Sequence, residues 1–228
     1  MAATTLLLDL DGPLTRLFPD PAHLELAEEL AGVLAARTGH RLADAVDHVQ
    51  VLRSVRELAP GLLPELEHRA AAAEVRAARQ ALPAPGAVAF LQRAHDHGYA
   101  VAVVSNNADE AVRVALQQCD LLGLVDYVAA RQGADVDRLK PDPALLLDAL
   151  GALGALGALG APADRTAFYG DSVSDMVAAS RAGVRGIGVS ADPRRVAELV
   201  AAGAVAVVPH LGDPAEHLPV PTRTEAAW

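Results

Sequence analysis

Apolar positions fall into two rhythms along this chain. Thr4 to Leu10 (TTLLLDL) is a short apolar run ending in acids, and such a run predicts a buried strand. Gly12-Pro13 breaks it. Helical spacing then takes over. Asp20-Pro21 reads as a helix start, with Asp as N-cap and Pro at the first helical position, and Leu24, Ala27, Leu30, Ala31 and Leu34 follow until Thr38-Gly39. A second helix is predicted from Leu42 to Leu58, with Val46, Val49 and Val55 on one stripe, and an Ala-rich third from Leu63 to Ala81.

Beyond Pro83-Ala84-Pro85-Gly86 strands and helices alternate. The predicted order is helix Ala87–His97, strand Tyr99–Ser105, helix Ala108–Cys119, strand Val125–Ala129, helix Pro143–Leu150 and strand Thr166–Gly170. Helix Ser174–Ala182, strand Arg185–Val189, helix Arg194–Ala201 and strand Ala204–Val208 complete it. Such alternation implies a parallel sheet covered on both faces. The helical stretch between the first two strands far exceeds the dozen or so residues that a crossover needs. The expected fold is therefore α/β, a Rossmann-like parallel sheet core with an inserted α-helical cap. Residues 1–15 and 84–228 form the core, and residues 16–83 form the cap.

Composition narrows the function. The chain has 228 residues, 52% of them hydrophobic, which excludes a disordered chain and allows one core with a small accessory domain. A formal net charge of −10 and only three Phe, three Tyr and one Trp argue against nucleic-acid binding. No apolar stretch is long enough to span a membrane, and the N-terminus has no signal-peptide pattern, so a cytoplasmic protein is expected. The single cysteine, Cys119, cannot form an intrachain disulfide and is read as packing. Gly151 to Gly160 (GALGALGALG) is read as a neutral repeat, since each glycine costs a helix interior about 1 kcal/mol. Pro219 to Trp228 reads as a poorly ordered tail.

Ligands of parallel α/β sheets sit at the carboxyl ends of the strands. There the sequence places Asp9-Leu10-Asp11-Gly12, Ser105-Asn106-Asn107, Lys140-Pro141-Asp142-Pro143 and Gly170-Asp171-Ser172-Val173-Ser174-Asp175. Each alone is ordinary turn or cap chemistry. Together they gather acids, a hydroxyl and the single lysine of the chain on one edge. Repulsion among the acids calls for a cation, and Mg²⁺ held by hard oxygen ligands supplies it while leaving positions for a phosphate oxygen.

This set resembles the haloacid dehalogenase-like hydrolase superfamily, whose motifs occur here in order as DLDG, SN, the Lys before PDP, and GDSVSD. The run from Pro85-Gly86 to Asn107 is similar to the phosphoglycolate-phosphatase-like branch, and the insertion looks like the superfamily's first cap type. The resemblance implies that Asp9 is the nucleophile and that Asp11 is the general acid and base. It implies that Ser105 and the backbone around Asn106 bind the phosphoryl oxygens and that Lys140 neutralises charge beside them. Mg²⁺ is implied as cofactor, held by Asp9, the Asp11 carbonyl, Asp171 and Asp175. The implied activity is a phosphatase acting through an aspartyl-phosphate on a small phosphorylated metabolite, as a monomer or homodimer.

Departures and rivals are also legible. The family's DxDGTLxD start is DLDGPLTR here, with Pro13 and Arg16 at the altered places. Asp11 favours phosphate over halide substrates, and residues 16 to 83 hold no lysine for phosphonatase chemistry. A phosphomutase is the alternative among enzymes, and a catalytically silent ligand-binding protein the alternative of another class. Arg53 and Arg56 on the second cap helix are either solvated or grip a substrate anion. His95 and His97 are read as helix-end cations.

Overall fold

The computed structural model describes residues 4–18, 21–43, 45, 47–154 and 165–221. Strands β1 (Thr5–Leu8), β4 (Ala100–Ala108), β5 (Tyr127–Arg131), β6 (Thr166–Gly170), β7 (Arg185–Val189) and β8 (Ala206–Val208) form one sheet. Its order is β5-β4-β1-β6-β7-β8, and every pairing is parallel. β1 lies at the centre with Leu8 opposite Val103 on one side and Tyr169 on the other. Successive side chains of a strand point to opposite faces. Leu6 and Leu8 accordingly enter one core with Phe90 and Leu91 of α4 (Ala87–His97) and Val112 and Leu116 of α5 (Asp109–Gln118). Leu7 enters the other, with Leu145 and Leu146 of α6 (Ala144–Ala152) and Ala178 and Ala179 of α7 (Val173–Ala182). The outer helix α8 (Pro193–Ala201) lays Leu199 over Gly188.

Between β1 and β4 stand α1 (Ala22–Thr38), α2 (His48–Leu58) and α3 (Leu63–Ala78). Leu26, Leu30 and Leu34 of α1, Leu52 and Val55 of α2 and Leu66 of α3 share a buried cluster. The insertion is entered and left through a two-stranded antiparallel ribbon, β2 (Thr15–Arg16) against β3 (Leu82–Pro83). Periodicity misses this ribbon, because two residues are too few to show a period. Among the described residues no helix is long and apolar enough to cross a membrane.

Several element ends differ from expectation, four of them in the insertion or beside the strand-end segments. α2 begins at His48 rather than Leu42, because the Asp47 side chain accepts from Gln50 N at 2.8 Å and caps the helix there. The predicted stripe residue Val46 lies outside the described residues, as do the Asp20 cap, residues 155–164 of the repeat region and residues 222–228. α1 starts at Ala22, with Pro21 at its cap position. α3 stops at Ala78 instead of Ala81, because the chain must straighten to set Leu82 opposite Arg16. β4 continues past Ser105 to Ala108 through a shift of register, which carries Asn106 and Asn107 onto the sheet edge.

Candidate active site

Asp9 is the first residue after β1, and its N–H donates to Tyr169 O of β6 at 2.8 Å. The chain then turns tightly: Gly12 N–H donates to Thr15 O and Thr15 N–H to Leu10 O. That turn sets Asp11 above the sheet, where its Oδ1 accepts from Leu17 N at 2.8 Å. Gly12 has φ +100°, and a Cβ there would lie 2.2 Å from an Asp171 carboxylate oxygen. Only glycine lets the two loops approach this closely. Gly170 is closed the same way, since its Cβ would meet Asp175 Cβ at 2.5 Å. Asp175 lies in the first turn of α7 and completes a capping box with Ser172.

Lys140 enters from the loop before α6. Its Nζ lies 2.7 Å from Asp9 Oδ1 and 2.8 Å from Asp175 Oδ1, and it donates to Val104 O at 3.0 Å. The ammonium also stands 5.4 Å from the centre of the Phe168 ring. Its main chain is clamped by Asn106, whose Oδ1 accepts from Lys140 N at 2.8 Å while Nδ2 donates to Lys140 O at 3.0 Å. Ser105 Oγ, beside them, accepts from Asn107 N at 3.2 Å. The structure thus brings Asp9, Lys140, Asp171 and Asp175 into one cluster with Asp11 and Ser105 on its rim. The Asn106 side chain is turned to Lys140 rather than to the acids.

Electrostatics follow from this crowding. Burial pushes Asp9 up to about 7 against the pull of Lys140, with Asp175 and Asp11 adding to the rise. Asp171 is driven well above the carboxylate range by burial and then by Asp9, Asp175 and Asp11. Burial works against charge on Lys140, yet Asp175 and Asp9 outweigh it and hold the ammonium above its ordinary range. Asp11 is raised by burial and held back by donors from Leu17, Phe18 and Gly12 and by His48. One ammonium among so many acids leaves negative charge uncompensated. Carboxylate oxygens of Asp9, Asp171 and Asp175 all lie within 4.8 Å of one another, a hard-oxygen set that suits Mg²⁺.

A second cluster went unseen in the sequence. Arg131, at the end of β5, is fully buried and donates to Glu67 Oε1 at 3.0 Å and to both oxygens of Glu74 at 2.6 Å. Glu74 also meets His48 Nε2 at 2.7 Å and accepts from Ala108 N at 2.7 Å. Arg131 Nε donates to Asn106 O at 3.2 Å, so α3 of the insertion is tied through Arg131 to the residue that clamps Lys140. These partners are some sixty residues apart, and no local pattern announces them. Arg53 donates to Leu139 O and Lys140 O, and Arg56 pairs with Asp137 at 3.3 Å. Both arginines of α2 grip the Lys140 loop. Arg16 is exposed on β2, and Cys119 is packed in the core. His95 and His97 occupy the last turn of α4, before the Gly98 cap.

A doubly wound α/β protein with an acid-and-lysine cluster at the carboxyl edge of its sheet is the class that this geometry defines. A family model for haloacid dehalogenase-like hydrolases matches residues 3–183, and the chain belongs to that family. A phosphoglycolate phosphatase of Pseudomonas fluorescens (strain Pf0-1) is 31% identical over 106 residues, which cover 46% of this chain and 36% of that relative. The match thus spans little more than a third of the relative's length. A hydrolase from Pseudomonas syringae has the same fold, with a TM-score of 0.68 at 22% identity over 94% of this chain and 97% of that one. CbbY from Rhodobacter sphaeroides, solved in complex with phosphate, gives a TM-score of 0.66 at 20% identity over 94% of this chain and 99% of that one.

Proposed function

We propose that this protein is a Mg²⁺-dependent phosphatase that hydrolyses a small phosphorylated metabolite through an aspartyl-phosphate on Asp9. The observation that carries the reading is the convergence of Lys140 Nζ on Asp9, 2.7 Å away, inside a cluster completed by Asp171 and Asp175. Asp9 Oδ attacks phosphorus as the ester P–O bond breaks, and Asp11 gives its proton to the departing alkoxide. Water then attacks the aspartyl-phosphate, Asp11 takes the water's proton, and inorganic phosphate leaves with Asp9 restored. Its raised affinity for protons suits Asp11 to both duties.

Ser105 Oγ and the N–H groups around Asn106 hold the phosphoryl oxygens, and Lys140 balances their charge beside the nucleophile. Asp9, the Asp11 carbonyl, Asp171 and Asp175 would hold Mg²⁺. The ion's chemistry there is to offset negative charge shared by the acids and the transferring group. Residues 1–15 and 84–228 act as the catalytic unit, and residues 16–83 as a cap that keeps water from the site. The relative of P. fluorescens supports a phosphorylated small molecule as substrate. The single buried thiol is compatible with action in the cytoplasm.

Hydrolysis of p-nitrophenyl phosphate tests the reading. Turnover should require Mg²⁺, stop with excess EDTA, and fall at least about a thousandfold in Asp9→Asn, because the nucleophile is lost. Metal-independent turnover, or activity surviving in Asp9→Asn, would refute it.

A further inference from the structure

The segment that follows β8 is strapped to the core by three side chains. Arg93 donates to Gly212 O, Arg185 Nη1 to His217 O at 2.8 Å, and Tyr99 OH to Leu218 O at 3.1 Å. Leu211 and Leu218 of the segment are buried. The strapped segment roofs a cavity of about 210 Å³ beside Tyr169 of β6 and Phe90 of α4. That is several times the space one water molecule needs. None of Asp9, Asp11, Lys140, Asp171 or Asp175 lines it, so it is separate from the acid cluster.

Two buried polar atoms are left over there. Tyr169 is 1% exposed, and its hydroxyl has no hydrogen-bond partner among the described residues. The Tyr169 main chain is engaged in the sheet, so its side chain is what reaches the cavity. His217 Nε2 is likewise buried and unpartnered among the described residues, with its ring 6.1 Å from that of Tyr169. Buried polar atoms are paired in nearly every case, and a space lined by two unpaired ones calls for an occupant that pairs them.

The walls define the kind of occupant. Asp213 and Glu216 bring carboxylates, and neither is in an ion pair among the described residues. Asp213 Oδ1 accepts from Ala215 N at 2.9 Å, which fixes that group in place. The two arginines that hold the roof are committed to carbonyl oxygens and do not line the cavity. His210 lines it but is exposed to solvent. The remaining wall is apolar: the rings of Phe90 and Tyr169 meet edge to face at 5.2 Å, beside Val208. Negative charge, aromatic faces and no resident cation suit a cationic guest.

We propose that this cavity is a binding site for a small organic cation, a primary ammonium on a short apolar body. An ammonium carries three N–H donors. They match the Tyr169 hydroxyl oxygen, His217 Nε2 in its neutral form and a carboxylate of Asp213 or Glu216, while the apolar body lies against Phe90 and Val208. A neutral alcohol leaves the carboxylates unbalanced, and a quaternary ammonium has no proton for the orphaned atoms. The inference does not depend on the phosphatase reading.

Calorimetric titration of the full chain with n-propylammonium chloride tests it, with Mg²⁺ present and at pH 8, where the amine is charged and free imidazole is neutral. 1-Propanol, propionate and tetramethylammonium are the comparisons. n-Propylammonium should bind with a dissociation constant of about 1 mM or tighter, as a guest of four heavy atoms allows. The comparisons should bind at least about tenfold more weakly. Tyr169→Phe, and Asp213→Asn with Glu216→Gln, should each weaken n-propylammonium about tenfold, whereas Asp171→Asn should bind it as wild type does.

Melting temperatures report whether each variant is folded. Should one not fold, amide shifts in the NMR spectrum of wild type decide in its place: they should move at Gly212, Glu216 and His217 and stay fixed at Gly12 and Asp171. Shifts confined to Gly12 and Asp171, or an affinity that Tyr169→Phe leaves unchanged, overturn the proposal. Absence of binding also overturns it and leaves the cavity to water alone. Equal binding of 1-propanol overturns it too, by making the cavity a site for neutral polar molecules.

Discussion

Two clusters of buried charge lie close together in this protein, and they are built in opposite ways. At the sheet edge, Asp9 and Asp175 share one ammonium with Asp171 beside them, and Asp9 and Asp171 are driven upward in proton affinity. Between insertion and core, Glu67 and Glu74 meet Arg131 in close contacts, His48 adds a second partner, and Glu74 is drawn down to about 2. Burial opposes charge in both places. What differs is whether the fold supplies the counter-charge. Where it does, the cluster is a joint between two parts of the structure. Where it does not, the acids form an oxygen set that could hold a cation.

Breaking the joint should cost the most stability. Glu74→Gln leaves Arg131 buried with less compensation, a change worth about 3–5 kcal/mol. That corresponds to a melting temperature lower by about 10 °C in a chain of this size. A scanning-calorimetry difference below about 2 °C would mean that the joint holds little.

Acid should weaken the same joint. Glu74 has a depressed proton affinity in the folded state, so its contribution is complete above its unfolded value of 4.5 and is lost as pH falls toward about 2. The loss amounts to something on the order of 3 kcal/mol. Denaturant titrations between neutral pH and pH 3 should therefore show a fall that Glu74→Gln flattens. Parallel curves for the two proteins would contradict the assignment.

The open cluster should respond to a cation instead. Mg²⁺ at about a hundred times its dissociation constant should add about 2.7 kcal/mol. This should appear as a rise of about 5–10 °C in melting temperature, reversed by EDTA. Asp171→Asn should abolish the rise while leaving the metal-free protein at least as stable, because it removes one uncompensated acid. An equal rise in the variant would place the ion elsewhere.

The smallest effect belongs to a pair at the surface. Arg56 and Asp137 are both well exposed at 3.3 Å, and Arg56→Ala should change stability by less than about 0.5 kcal/mol. A larger loss in chemical denaturation would mark α2 as bound to the Lys140 loop by more than Arg53.

The open cluster was legible in the sequence because each member sits at a strand end with its own local signature. Alternating apolar runs located the strands, and the short acidic, Ser-Asn, Lys-Pro and Gly-Asp segments followed them. Lys140 stood out by being the single lysine. The joint left no such trace. Glu67 and Glu74 look like exposed charges of an Ala-rich helix, and Arg131 like one arginine among many. His48 fell inside the helix predicted from Leu42 to Leu58, with nothing to single it out. Their meaning depends on which helix face is covered, and α3 has both a core-facing stripe and a face turned toward β4 and α5. The β2–β3 ribbon was equally hidden, since its pairing joins residues 15–16 to 82–83 across three helices.

Local patterning thus determined the elements, the parallel sheet and the acids at its edge, because strand ends and tight turns are governed by neighbours in the chain. Tertiary structure alone decided three things. It set which acids share the ammonium, turned Asn106 toward Lys140 rather than the cluster, and let a buried arginine tie the helical insertion to the site. Those outcomes depend on distances between segments far apart in sequence, and on how much counter-charge each buried acid meets once water is gone.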